Sequence, residues 1–157
     1  YRDYKVFGED EELLASSSST WLLMDTRSRR MAPIPEHILA FQEKMPPPGQ
    51  CLPRPEGKLP RFGQASHSKN FEVNWHDLDF NLHLNNTLYI QWMLEPLPGE
   101  VLEKGQLLQL DINYRAECQW QDQVRTEVQL LEKGSYLHRL VRADDGKELA
   151  LARTVWG

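Results

Sequence analysis

Cysteine is scarce in this sequence of 157 residues, which contains only Cys51 and Cys118. Cys51 lies in a proline-rich stretch and Cys118 in a strand-like one, so there is no disulfide framework and a reducing compartment is expected. No apolar run approaches the roughly 20 residues that a membrane-spanning helix needs, and the first residues resemble neither a signal peptide nor a transit peptide. We therefore expect no membrane association and a cytoplasmic location.

Two common signatures of catalysis are also missing. The sequence has no glycine-rich loop of the kind that binds phosphates and no Gly-x-Ser-x-Gly segment of a serine hydrolase.

Apolar residues make up 40% of the chain and charged residues 26%. These fractions are close to the globular average, which excludes a disordered or fibrous protein.

The net charge of −5 conceals an uneven distribution. Residues 26–70 carry eight basic side chains against three acidic ones, a local charge of +5, so the remainder carries −10. A basic stretch either steers an acidic partner or forms a solvated linker, and the acidic balance of the whole chain argues against a nucleic acid partner. The eight basic residues are Arg27, Arg29, Arg30, Lys44, Arg54, Lys58, Arg61 and Lys69.

The two ends of the chain resemble each other. Aligning residues 1–21 with residues 136–156 gives six identities, and each copy reads as a strand, an acidic turn and a second strand ending in tryptophan. We predict a β-hairpin in each copy, the first being the end of a domain whose bulk is missing. The identical pairs are Tyr1/Tyr136, Val6/Val141, Asp10/Asp145, Leu14/Leu149, Ala15/Ala150 and Trp21/Trp156.

Prolines separate the two copies. Eight of them fall within residues 25–65, where each one fixes φ and removes a backbone donor, so regular structure is expected only in a short amphipathic turn at residues 35–44. We predict three parts: a terminal hairpin at 1–24, a proline-rich basic linker at 25–65, and a second domain at 66–157.

Apolar and polar residues alternate in the second domain, as they do in half-buried strands. Phe71 and Val73 indicate a first strand, and four strand-like runs follow Gly99, with a turn at Gly134 between the second and third. The last two of these runs are the hairpin at residues 136–156.

A single apolar helix is expected between the first strand and the other four. Asn85 or Asn86 can cap its N-terminus, and Pro96 ends it. Residues 88–94 are apolar around nearly the whole circumference, so the helix should be buried. An antiparallel sheet wrapped around one central helix is the hot-dog fold, an α+β architecture that covers both apolar surfaces.

Three polar residues whose side chains could take part in catalysis precede this helix. Asp79, Asn81 and His83 are spaced two residues apart, so in an extended segment their side chains would point to the same side of the backbone, next to the helix N-terminus. Imidazole suits proton transfer, an amide can hold a water molecule or a carbonyl, and a carboxylate can orient either. The alternative is a loop in which Asp79 and Asn81 make local turns and His83 is a surface residue.

Metal binding is another alternative for this segment. His76 and Asp77 add an imidazole and a carboxylate to Asp79 and His83, and ligands of these types suit zinc or iron. No second ligand-rich segment accompanies them, so we expect no metal.

Two further candidates lie on the strand after the helix. Glu117 could act as a general base for water, and Cys118 could act as a nucleophile if an imidazole took its proton. Neighbours on a strand point to opposite faces, so the two should not reach the same substrate atom.

Three blocks together resemble a known family. Residues 75–86 (WHDLDFNLHLNN), 89–92 (YIQW) and 114–118 (YRAEC) are similar to the acyl-acyl carrier protein thioesterases of bacteria and plant plastids. Residues 1–36 resemble the end of that family's first domain and the start of its linker. The resemblance therefore covers nearly the whole chain.

The resemblance implies two tandem hot-dog domains that hydrolyse the fatty acyl thioester of acyl carrier protein, the first domain shaping much of the acyl pocket. By motif position, Asp79, Asn81, His83 and Glu117 match the family's catalytic set, and Cys118 matches a cysteine once regarded as the nucleophile. We favour attack by water with Glu117 as base. No cofactor is implied. The implied locations are the bacterial cytoplasm or the plastid stroma.

Two other functions remain open. One is an acyl-CoA thioesterase of the same fold, and the other is a non-catalytic acyl-binding or assembly fragment. The resemblance implies tandem pairing with the missing first domain, and whether the chain also forms a homo-oligomer is left open by the sequence.

Overall fold

The computed structural model describes residues 1–28, 30–55 and 58–157, so Arg29 of the basic stretch lies outside the described residues. The chain forms two compact units, Tyr1–Glu56 and Gly57–Gly157. Within the described ranges, no helix has both the length and the apolar character to cross a membrane.

The first unit begins with the predicted hairpin. Strands β1 (Arg2–Phe7) and β2 (Leu13–Ser19) pair antiparallel, and the acidic residues 9–12 lie in the turn between them. The second strand ends at Ser19, whereas the sequence pattern predicts that it ends at Trp21. Helix α1 (Glu36–Leu39) continues into a 3-10 turn at Ala40–Lys44, which confirms the short turn predicted in the proline-rich stretch.

The second unit contains one five-stranded antiparallel sheet in the order β3-β5-β6-β7-β4. The strand, the helix and the four further strands occur in the predicted order, and the hot-dog fold is confirmed. The elements are β3 (His67–Glu72), α2 (Asn86–Leu94), α3 (Gly99–Lys104), β4 (Leu107–Tyr114), β5 (Gln123–Glu132), β6 (Ser135–Arg142) and β7 (Glu148–Trp156).

Helix α2 packs on one face of this sheet. Its N-terminus is capped by Asn85, whose side chain accepts a hydrogen bond from the Thr87 N–H at 3.0 Å, a contact that contributes about 1 kcal/mol. Trp92 stacks on Phe71 of β3 with ring centres 4.8 Å apart. Met93 is 1% exposed and lies in the main core with side chains from β5, β6 and β7. The helix is therefore the central element that the sequence predicts.

Two expectations about the helices need correction. The sequence pattern predicts strands directly after Gly99, whereas the six-residue α3 begins there, too short to give a visible periodicity. Burial of α2 is also incomplete within this chain, because Leu88, Ile90 and Leu94 are half-buried.

The hairpin resemblance extends to strand register. Val6 pairs with Ala15 and a bulge follows; in the terminal hairpin Leu140 pairs with Ala150 and a bulge follows at the same place. The second strands of the two hairpins thus keep the alignment seen in the sequence. The first strands are shifted by one residue relative to that alignment, because Val6 corresponds in register to Leu140 and not to Val141. The two turns also agree in backbone conformation: Glu11 of the first has φ of +60°, and Gly146 at the aligned position of the second has φ of +68°.

Candidate active site

The segment from Asp79 to His83 is a tight turn rather than the extended strand assumed from the sequence. The Asp79 N–H donates to the His83 carbonyl at 2.7 Å, and the Leu82 N–H donates to the Asp79 carbonyl at 3.0 Å. Leu82 has φ of +62°, in the left-handed region that few side chains adopt. The loop alternative considered for this segment therefore describes its backbone correctly.

The Asp79 carboxylate organises this turn. Its Oδ1 atom accepts hydrogen bonds from the N–H of Asn81 at 2.8 Å and of His83 at 3.1 Å. Partial burial raises the pKa of Asp79, but these two N–H groups, the Asn81 side chain and the charge of His83 outweigh that effect and lower it. Asp79 therefore remains ionised at neutral pH. Asn81 itself is exposed.

Glu117 reaches the same place from a different part of the chain. Strand β4 ends at Tyr114, so residues 116–118 follow the strand instead of lying on it as the sequence suggested. The Nε2 atom of His83 lies 3.5 Å from Oε2 of Glu117. Their side chains are 32% and 45% exposed, which leaves both accessible to a substrate.

A cavity of about 330 Å³ lies at this meeting point. Its volume is at the lower end of the range for small-molecule sites, about 300–1,000 Å³. The lining includes Asp79, His83 and Glu117, with Asn86 and Tyr89 from α2, Tyr114 from the end of β4 and Arg115 directly after it. Asn81 lies outside this lining, so the structure brings together three of the four residues that match the family's catalytic set.

Cys118 lies in the core, away from the cavity. It is 0% exposed and packs with Val73, Leu84 and Tyr89. Burial raises the pKa of the Cys118 thiol to about 11, with a further contribution from the negative charge of Asp122, while a hydrogen bond with Tyr89 and the charge of Arg142 oppose the shift. The thiol is therefore protonated at neutral pH and is not a nucleophile in this state.

The arrangement differs from a metal centre. No group of three or more histidine, cysteine or acidic side chains in the described ranges is placed to hold a metal ion. The carboxylate of Asp77 accepts hydrogen bonds from the backbone N–H and the side chain of Asn74 at 2.8 and 3.2 Å, which closes a capping box. Its role is to fix the loop that leads into the site.

Sequence models of one family match both parts of the chain. The model described as the acyl-ACP thioesterase C-terminal domain matches residues 62–157, and the model of the N-terminal domain of the same family matches residues 1–41. The chain belongs to the acyl-ACP thioesterase family.

Relatives of this acyl-ACP thioesterase chain include plant proteins. A chloroplastic palmitoyl-acyl carrier protein thioesterase of Cuphea hookeriana is 34% identical over 92% of the chain, and a chloroplastic acyl-[acyl-carrier-protein] hydrolase of Cuphea viscosissima is 32% identical over the same share. The chain spans 37% of the length of each.

Solved structures share the fold. The 12:0-ACP thioesterase from Umbellularia californica superposes with a TM-score of 0.74 at 24% identity, over 95% of this chain and 58% of that one. An acyl-ACP thioesterase from Bacteroides thetaiotaomicron gives a TM-score of 0.80 at 17% identity, over 99% of this chain and 61% of that one.

Several cavity residues of this acyl-ACP thioesterase chain were not selected from the sequence. Tyr89 was assigned to the apolar face of the helix, and Asn86 was considered only as a cap. A signal for Tyr89 existed, because a tyrosine in a buried helix needs a partner for its hydroxyl group. Tyr114 and Arg115 belong to a family motif, but nothing local in the sequence assigns them to the cavity.

Proposed function

We propose that this chain carries the catalytic site of an acyl-acyl carrier protein thioesterase, which hydrolyses a fatty acyl thioester to a free fatty acid and the carrier thiol. The observation that carries the proposal is the approach of His83 Nε2 to Glu117 Oε2, at 3.5 Å, on a cavity that Asp79 also lines. The names of the relatives support the carrier as substrate.

The proposed reaction uses water as the nucleophile. Glu117 takes a proton from a water molecule whose oxygen bonds to the thioester carbonyl carbon. The C–S bond then breaks, and the leaving sulfur takes the proton that Glu117 removed from water, so the products are a fatty acid and a thiol and Glu117 is regenerated as the base. The buried, protonated thiol of Cys118 supports water in preference to a cysteine nucleophile.

The remaining groups of the site have supporting roles in this proposal. His83 lies against Glu117 and orients the water or the thioester. The Asp79 carboxylate holds the His83 backbone through its N–H. Asn86, the first residue of α2, lines the cavity, so the positive end of the helix dipole is placed to stabilise the developing oxyanion. Asn81 acts on the turn through its contacts with Asp79.

The proposal is tested by the release of free thiol from matched acyl-carrier and acyl-CoA substrates. We expect the chain to cleave the acyl-carrier substrate, with Glu117→Gln lowering kcat about 100-fold or more, since general base catalysis contributes about 10²–10⁴-fold. Glu132→Gln, an exposed glutamate at the end of β5, is the matched control and should retain full turnover. Preference for acyl-CoA would favour the alternative substrate, and equal turnover by Glu117→Gln would contradict the mechanism.

The basic stretch at residues 26–70 is proposed to attract an acidic carrier. Attraction between exposed charges is screened by salt, with a Debye length of about 10 Å at 0.1 M. The KM for the acyl-carrier substrate should therefore rise with ionic strength. The KM for the same acyl chain on pantetheine alone serves as the control and should change little. A KM for the carrier substrate that does not respond to salt would argue against electrostatic docking.

The location is proposed from the same relatives. Their names describe chloroplastic proteins, which supports the plastid stroma over the bacterial cytoplasm. Fractionation of source cells followed by detection of the protein would distinguish the two compartments.

A further inference from the structure

The backbone around Glu117 is held by groups distant in sequence. The hydroxyl group of Tyr89, on α2, donates a hydrogen bond to the Ala116 carbonyl at 3.1 Å and accepts one from the Cys118 N–H, also at 3.1 Å. Tyr89 is 2% exposed, and its bond with the Cys118 N–H is buried. One hydroxyl group thus fixes the residues on both sides of Glu117.

Arg142 holds the carbonyl of Glu117 itself. At the end of β6, its Nη2 atom donates to the Glu117 carbonyl at 2.9 Å. Its other nitrogen atoms contact the carboxylates of Asp122 and Asp145, each at 3.2 Å. Because the guanidinium group is planar and its donors diverge in fixed directions, these two carboxylates orient the donor that reaches Glu117.

The held segment is joined directly to the turn that carries His83. The N–H of Leu84, the residue after His83, donates to the Cys118 carbonyl at 2.9 Å. The backbone positions of Glu117 and His83 are therefore coupled, and the 3.5 Å separation of their side chains depends on how residues 116–118 are held.

We infer that Arg142 and Tyr89 are positioning residues for Glu117, acting as a two-sided clamp on the backbone of residues 116–118. The inference rests on the proposed function, in which Glu117 takes a proton from water. Arg142 is outside the cavity lining and contacts Glu117 through the carbonyl of that residue. A displacement of about 1 Å in a reacting group can cost about 100-fold in rate, so Arg142, which is outside the cavity lining, can still control kcat.

The first test replaces Arg142. In the full chain, Arg142→Met should lower kcat about ten-fold and leave KM within about two-fold, since the change misplaces the base without altering substrate contacts. Arg142→Lys should recover part of kcat, because an ammonium group can still donate to the Glu117 carbonyl. Arg125→Met is the matched control: Arg125 is an exposed sheet arginine that pairs with Glu127 at 2.8 Å, and Arg139 still pairs with that carboxylate after the change. This control should keep its kcat.

A double-mutant cycle separates positioning from a merely structural effect. In a Glu117→Gln background, Arg142→Met should lower kcat less than about two-fold, because no base remains to be positioned. A full ten-fold loss in that background would overturn the inference. If Glu117→Gln alone leaves kcat unchanged, the role of Glu117 in the proposed function fails, and the positioning inference fails with it.

Hydrogen exchange tests the clamp independently of turnover. Amide exchange at residues 116–118 should accelerate in Arg142→Met and in Tyr89→Phe, and should be unchanged in Arg125→Met and in Tyr136→Phe, which removes the hydroxyl of another buried tyrosine. Unchanged exchange at residues 116–118 in both clamp variants would overturn the inference even if the wild-type chain hydrolyses thioesters as proposed.

Discussion

The two segments that meet at the site are built in opposite ways. The Asp79–His83 turn is held by bonds within five residues, chiefly those of the Asp79 carboxylate. The segment at residues 116–118 is held by Tyr89, Arg142 and Leu84, which are 25 to 34 residues away in sequence. Changes in the first should therefore act locally, whereas the second depends on the whole fold.

The largest expected effect is at Asp79. Asp79→Ala removes the acceptor for the N–H groups of Asn81 and His83, so the turn that presents His83 should open. We expect thioester hydrolysis to fall by at least about 100-fold, measured as thiol release, because His83 would no longer be placed to orient the water or the thioester, and misplacement by about 1 Å can cost about 100-fold. Hydrogen exchange should increase at residues 79–83 and remain unchanged in strands β5, β6 and β7.

A neighbouring carboxylate provides the control for this prediction. Asp77 makes the same kind of local bond, to the N–H of Asn74, but does not line the cavity. Asp77→Ala should cost about 1 kcal/mol of stability, the usual value of a lost cap, and preserve turnover within about three-fold. Full turnover in Asp79→Ala would remove that residue from the mechanism and end the distinction between the two carboxylates.

The same contrast explains what could be predicted from the sequence. Alternation of apolar residues indicated the strands, and Asn85 and Pro96 marked the ends of α2, because each signal depends on neighbours along the chain. The assumption of an extended segment at 79–83 was wrong because the Asp79 carboxylate bonds its own backbone, a competition that strand periodicity does not reveal. Arg142 could not be found, since its contact with Glu117 requires the sheet order and the position of the β6–β7 turn.

Acidification should weaken the segment at residues 116–118 before it weakens the Asp79–His83 turn. His138 is 0% exposed; one ring nitrogen lies 2.8 Å from the Met93 carbonyl of α2 and the other 2.8 Å from the Thr154 hydroxyl of β7. Burial lowers the pKa of His138 to about 4, although the hydrogen bond to Met93 opposes the shift. Neutral His138 thus anchors the helix that carries Tyr89.

The direction of the pH effect follows from this lowered pKa. The unfolded chain binds a proton at His138 near pH 6.5 and the folded chain only near pH 4, so the stabilisation is complete above pH 6.5 and is lost as the pH falls toward 4. The loss should reach about 3 kcal/mol, since each unit of pKa shift is worth about 1.4 kcal/mol. The lowered pKa of Asp79 keeps its turn intact over the same range.

Denaturant unfolding at several pH values measures this loss. His138→Gln should remove most of the slope between pH 6.5 and 4.5, and His67→Gln, an exposed histidine of β3, should retain it. In the parent protein, exchange at residues 116–118 should increase on acidification before exchange at residues 79–83. An unchanged slope in His138→Gln would show that other groups control acid stability.

The smallest effect on turnover is expected when Cys118 is replaced. This change tests whether the segment at residues 116–118 supplies a base or a nucleophile. The thiol is buried in the core and protonated, so Cys118→Ala should cost about 1–2 kcal/mol of stability through the cavity it leaves. Turnover should remain within about three-fold of the parent, measured at a temperature where both proteins are folded. Loss of turnover by 100-fold or more in folded Cys118→Ala, with no acyl-enzyme forming, would assign the chemistry to the thiol. Glu117 would then be the neighbour of the reacting group, and the clamp on residues 116–118 would serve the cysteine instead.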